Sequence, residues 1–298
     1  MDEKKIKNVA VSVSIVVIVL LISIFGITFL LLNYSESTDS IGSLKIVTTI
    51  APLTYLTQEI VSSDDKIKTL AANEAHDYEL TPQDIIAIND ADVLISTGLD
   101  LDSFIEEIDS QIDNQDLIKV EATDFIETID ADPHFWMSKS QSINFVTGLT
   151  EVFVNSLPNK VDTNKFQSNL SNFESRINEI TSRVDFTSCE LTTIFVEHNA
   201  FIYLSRENNF DIVSLSNSES SDDSIDPASF ASFIDSIKKS NSKYIYIESE
   251  DDDSLNQVAT DNNLSTLVLD TMESYDPQKN FFDIYDQNFN QLKTGLSC

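Results

Sequence analysis

The chain has 298 residues, 41% of them apolar, with 50 acidic residues against 18 basic ones and a formal charge of −32. That length and apolar fraction suffice to bury a substantial core, as one large domain or two smaller lobes, and they exclude a disordered chain. The charge excludes nucleic acid and anionic lipid surfaces as partners by repulsion. The acids are spread along the whole chain and their field is screened within about 8 Å at physiological salt, so charge alone does not indicate a metal.

Residues 1–8, which include Lys4, Lys5 and Lys7, precede a nearly unbroken apolar run from Val9 to Leu32. At about 1.5 Å per residue this run is long enough for a hydrocarbon core of roughly 30 Å, so residues 9–32 are expected to form a single-pass transmembrane helix. The lysines on its N-terminal side place that end in the cytoplasm and everything after it outside. A cleaved signal peptide is the rival reading, although its apolar region is shorter and ends in a small-x-small site. No cysteine lies directly after the run to accept a bacterial-type lipid. Residues 33–43 are a short polar tether.

From Leu44 onward, short β-branched runs alternate with helical stretches, the pattern of parallel sheets with helices on their faces. "KIVTT" leads into a helix near Pro52. "KIKTLA" is followed by the loop "ANEAHDYEL" and by a helix capped at Thr81, with Pro82 at its first position and Asp84 three residues after the cap. "DVLIST" and "DLIKVEA" complete a first set of four strands, which with its helices makes a lobe over residues 44–139. "LTTIFVE", "FDIVSLS", "SKYIYIE" and "STLVLD" repeat the scheme over residues 188–298. The expected fold is thus α/β, with two lobes that each hold a four-stranded parallel sheet. Residues 140–187 between them show no strand pattern. Phe166, Leu170, Phe173, Ile177 and Ile180 recur there at spacings of three and four, which lays one apolar stripe along a long helix suited to join the lobes.

Only three histidines occur: His76 after the second strand, His134 in "DPHFWMS" after the fourth, and His198 in "VEHNAF" after the first strand of the second half. All three fall at carboxyl ends of predicted strands, where open α/β sheets place their ligands. Three neutral imidazoles and one oxygen fill a tetrahedral zinc shell, and the candidate oxygen is Asp270, after the last strand; water is the alternative. Trp136, the single tryptophan, suits either a wall that dries the site or plain core packing. The only cysteines, Cys189 and Cys298, can pair in an oxidising exterior, but nothing in the sequence sets their distance.

"KIVTTIAPLTYLTQEI", "AHDYELTPQDI", "ADVLISTGLDLDSFIEE", "DPHFWMS", "VEHNAFIYLS" and "LVLDTMES", in this order, resemble the solute-binding proteins of zinc and manganese ABC importers, from about Lys45 to the C-terminus. The resemblance implies a metal held between two lobes joined by a backbone helix, with His76, His134, His198 and Asp270 at the positions of that family's ligands. It further implies a monomeric receptor that delivers Zn2+, with Mn2+ as a second possibility, to an ABC permease subunit and its ATPase. His198 stands where manganese-type members often carry glutamate, which favours zinc. The chain departs from the family at Ala75, where a proline is usual, and it lacks the histidine-rich loop common in zinc-type members. Two other classes compete. A zinc-dependent hydrolase could use Glu79 or Glu197 as base, but no H-E-x-x-H motif is present. A surface adhesin on the same fold has no repeat to support it.

Overall fold

The computed structural model describes residues 42–73, 75, 78–215, 227–249 and 253–298. In the first lobe, strands β1 (Lys45–Ile50), β2 (Lys66–Ala71), β3 (Val93–Ser96) and β4 (Ile118–Glu121) form a parallel sheet in the order β2-β1-β3-β4. In the second, β5 (Thr193–Val196), β6 (Asp211–Ser214), β7 (Tyr244–Ile247) and β8 (Ser265–Val268) repeat that order as β6-β5-β7-β8, again all parallel. The α/β reading and the eight predicted strands therefore stand, each within a few residues of its predicted place.

Local chemistry accounts for the helices. Helix α1 (Ala51–Gln58) follows β1 without a break, with Pro52 in its first turn, where the missing N–H costs nothing. Helix α2 (Pro82–Asn89) has the anticipated Thr81 cap, and Asp84 completes a reciprocal capping box. The segment between the sheets forms two helices, α3 (Lys139–Ser156) and α4 (Thr163–Thr181), the second of which is the long helix with the apolar stripe. On α4, Phe166, Phe173, Ile177 and Ile180 are buried, as the spacing predicts. The second lobe adds α5 (Ile202–Asn208), α6 (Pro227–Ser240), α7 (Asp253–Asp261) and the C-terminal α8 (Phe281–Leu296).

A single apolar cluster runs through both lobes and along α3, α4 and α8. Its largest members are aromatic: Trp136, Tyr55, Tyr203, Tyr285, Phe135, Phe145, Phe153 and Phe173 are all fully buried. At about 1.5–3 kcal/mol for each large side chain withdrawn from water, this shared core is a major reason the lobes pack as one body. Close packing shows at Gly148 of α3, where an added Cβ would lie 2.1 Å from the Phe125 ring. Polar ties reinforce the packing. Glu207 of α5 accepts hydrogen bonds from Ser138 Oγ and from the Lys139 and Ser140 N–H groups, capping α3 across the lobe boundary. The Tyr285 hydroxyl of α8 donates to the Met137 carbonyl. Cys189 and Cys298 form a disulfide that ties the C-terminus to the segment entering β5.

One expectation is corrected. No helix among the described residues is long and apolar enough to cross a membrane. A span needs about 20 continuous apolar residues, and the two longest α-helices, α3 and α4, are 18 and 19 residues long and carry polar and charged side chains throughout. The apolar run 9–32 lies outside the described residues, and the single-pass placement in a cell membrane is withdrawn.

Candidate metal centre

In each sheet the chain reverses its direction of growth beside the first strand, so β5 and β7 lie next to each other with Val196 paired to Tyr246. Side chains just past the ends of these two strands must meet, and this is the crevice where such sheets bind ligands. His198, two residues beyond β5, presents its Nδ1 to Glu248 Oε1, one residue beyond β7.

His134 arrives from the other lobe. The Asp132 carboxylate accepts the His134 backbone N–H at 2.8 Å and faces His134 Nδ1 at 3.1 Å, so Asp132 sets both the turn and the ring. The Tyr203 hydroxyl of α5 braces the same turn, accepting the Ile129 N–H and donating to the Asp132 carbonyl. Trp136 is fully buried, edge-on to the His134 ring with centroids 5.2 Å apart. Its indole N–H donates to the Thr271 carbonyl at 2.8 Å, so it both packs the core and links the segment of His134 to the loop after β8.

Glu273, five residues beyond β8, completes the group: its Oε1 lies 3.2 Å from His134 Nε2. One ligand atom from each of His134, His198 and Glu273 can be chosen so that all lie within 4.8 Å of one another, with His134 buried and the other two half-buried. In both histidines Nδ1 is engaged by a carboxylate, Asp132 or Glu248, which leaves Nε2 to face a cation. Carboxylate-oriented imidazoles of this kind are the usual second layer of a zinc site.

The electrostatics match a place built for positive charge. Burial opposes a charge on His134, yet the hydrogen bonds to Asp132 and Glu273, with their negative charges, outweigh it and raise its pKa above the ordinary histidine value. A neutral imidazole has one N–H and cannot donate to both carboxylates; the imidazolium can. His198 is raised as well, burial again being outweighed by Glu248. Burial of Glu273 would raise its pKa, but the bond to His134 and the two imidazoles hold it well below the carboxylate range.

Of the four ligands expected from the sequence, the structure thus brings His134 and His198 together. His76 lies outside the described residues. Asp270 stands at the base of the same loop as Glu273, where its Oδ1 accepts the Met272 N–H at 2.8 Å and its Oδ2 pairs with Lys279 Nζ at 3.2 Å. Sequence reasoning missed Glu273 and Glu248, although both follow strand ends, the rule that singled out the histidines.

Fold and site together describe a two-lobed α/β protein whose His134, His198 and Glu273, past the carboxyl ends of its strands, could hold a metal ion. The family described as ZnuA, zinc-uptake complex component A, periplasmic, matches residues 46–295, and the chain belongs to it. It is similar to the high-affinity zinc uptake system protein ZnuA of Bacillus subtilis (strain 168), 24% identical over 290 residues covering 87% of this chain and 90% of that protein. It is similar also to the zinc-binding lipoprotein AdcA of Streptococcus pneumoniae (strain ATCC BAA-255 / R6), 22% identical over 288 residues, where the alignment covers 87% of this chain and 57% of that protein. Among solved structures, the Zn(II)-bound ZnuA-like domain of Streptococcus pneumoniae AdcA superposes with a TM-score of 0.75 at 21% identity, covering 86% of this chain and 100% of that domain, a likeness of fold.

Proposed function

We propose that the chain is a receptor that captures a divalent metal, zinc above all with manganese as a weaker alternative, and hands it to an ABC permease driven by its ATPase. The observation that carries this reading is the convergence of His134, His198 and Glu273, each imidazole aimed by its own carboxylate. His76, from the block "AHDYELTP", is the proposed fourth ligand and would complete a tetrahedral shell of three nitrogens and one oxygen. Asp270 in this reading shapes the loop that bears Glu273. Membership in a zinc-uptake family and the zinc named for the Bacillus and Streptococcus relatives support the choice of metal, and nitrogen ligands bind zinc more tightly than manganese. The test is competition of the purified protein with a chromophoric zinc chelator, alongside His134→Ala and His198→Ala. One zinc per chain with affinity lost in both variants is expected; an unaltered chain that leaves all zinc with the chelator refutes the reading. Delivery is tested by adding the metal-loaded chain to vesicles that hold the permease and ATPase, where ATP hydrolysis should rise.

A further inference from the structure

Glu273 belongs by sequence to the second lobe, yet the loop that carries it is fastened largely to the first. The hydroxyl of Tyr55, on α1, accepts the Asp276 N–H at 2.7 Å and lies 3.2 Å from the Ser274 carbonyl, so one oxygen grips the backbone just after the ligand. Beside it, the Tyr275 N–H donates to the Ala72 carbonyl at 2.8 Å, Gln58 Nε2 donates to the Tyr275 hydroxyl at 2.6 Å, and the Tyr55 and Tyr275 rings lie 5.3 Å apart. On the near side of Glu273 the Trp136 indole holds the Thr271 carbonyl. Between these ties Met272 has φ 66°. For an unbranched side chain other than glycine or asparagine this left-handed backbone is unfavourable, and it persists only where the surroundings over-determine it. A loop strained in this way relaxes when a fastener is removed.

We propose that Tyr55 is a positioning residue for the metal-facing carboxylate of Glu273, presetting it against His134 and His198 before any metal arrives. The proposal rests on the metal-receptor reading above. Its physical basis is preorganisation: a carboxylate already held in place spends none of the binding free energy on ordering its loop. Tyr55 is 1% exposed and belongs to the shared core, so Tyr55→Phe retains the ring and removes only the oxygen that grips the loop.

The experiment is a double-mutant cycle read as zinc affinity by chelator competition, on the full chain, with Tyr55→Phe, Glu273→Gln and the double variant. Removing a group that orients a metal ligand weakens binding by about 10- to 100-fold, and Tyr55→Phe should fall near the lower end. In the Glu273→Gln background the same change should cost less than about twofold, because the carboxylate it positions is gone. Gln58→Leu, at an exposed site on the same tie, should act in the same direction by about threefold and also vanish in that background; it serves if Tyr55→Phe does not fold. Cobalt-loaded Tyr55→Phe should show an altered visible absorption band, which a change of stability alone does not produce. Zinc affinity unchanged in Tyr55→Phe, or weakened equally with and without Glu273, overturns the proposal while leaving the metal reading intact. Failure of the unaltered chain to bind zinc overturns the metal reading itself.

Discussion

Zinc binding should release protons even in mildly alkaline solution, and the contacts of His134 give the reason. Asp132 Oδ1 lies 3.1 Å from Nδ1 and Glu273 Oε1 lies 3.2 Å from Nε2, two acceptors on one ring. Only the imidazolium donates to both, in keeping with a pKa raised above the ordinary value near 6.5 despite complete burial. Zinc needs the lone pair on Nε2, so it must displace that proton, and each displaced proton steepens the affinity by tenfold per pH unit. His134 alone therefore predicts affinity rising about 100-fold from pH 6 to pH 8, and His198, raised by Glu248, adds to the slope at the acid end. An unperturbed imidazole would be almost fully neutral at pH 8 and release only about 0.03 proton there. Calorimetric titration in buffers of different ionisation enthalpy counts the protons directly. At least one proton per zinc at pH 8 is expected. Proton release near zero at pH 8, with affinity flat above pH 7, would refute the doubly bonded His134 and the electrostatic argument built on it.

Further outcomes follow from particular contacts. Glu248→Gln should weaken zinc binding by about 10- to 100-fold through its loss of the orienting carboxylate, read by the same chelator competition, while leaving the melting temperature of the metal-free protein little changed. The Cys189–Cys298 disulfide closes a loop across a sequence separation of 109, so Cys298→Ser should cost about 4–5 kcal/mol on the chain-entropy scale, measured by denaturant unfolding. Burial raises the pKa of Glu59 to about 7, with Arg176 opposing and Asp283 adding to the shift. The protonated form is therefore favoured in the fold, and stability is lost as pH climbs from the unfolded carboxylate value towards 7 and stays lost above it. Glu59→Gln should accordingly melt at least about 2 °C higher than the unaltered chain at pH 8 and show little gain at pH 4; equal gains at both pH values would contradict the assignment.

The two sheets were legible because parallel strands buried on both faces read as short β-branched runs, and the alternation with helices was regular enough to place all eight. Thr81, Pro82 and Asp84 marked the start of α2 because capping is local chemistry, written within four residues. In the linking segment, Pro158 and Asn159 mark the turn between α3 and α4. His134 and His198 were legible from the strand-end rule. Glu273 was not, because among 50 acidic residues a carboxylate carries little information until the fold shows which one faces an imidazole. Asp270 looked equally apt for the same reason. Only Thr271 and Met272 separate it from Glu273, yet it bonds the Met272 N–H and Lys279 while Glu273 meets His134. The disulfide was beyond sequence because it depends on α8 running back to the segment before β5, where the Glu190 and Leu191 N–H groups bond to the carbonyls of Ser297 and Leu296.

The carboxylates around the histidines explain how such a site keeps its shape without metal. Asp132, Glu273 and Glu248 are three acids gathered at half-buried positions, where positive charge or hydrogen bonds must offset their mutual repulsion. In the metal-free protein the His134 imidazolium bridges two of the acids, and His198 meets the third through Nδ1. A zinc ion entering this cluster would take the place of the His134 Nε2 proton and bring a net gain of positive charge towards the three carboxylates. The hydrogen bonds from Nδ1 to Asp132 and Glu248 would remain, because a metal would be held through Nε2 of each ring. In the proposed site the ion would replace the His134–Glu273 contact with a bond to each residue. A divalent ion would bring more positive charge to these carboxylates than sodium or potassium, which favours it on charge before ligand type discriminates among divalent metals.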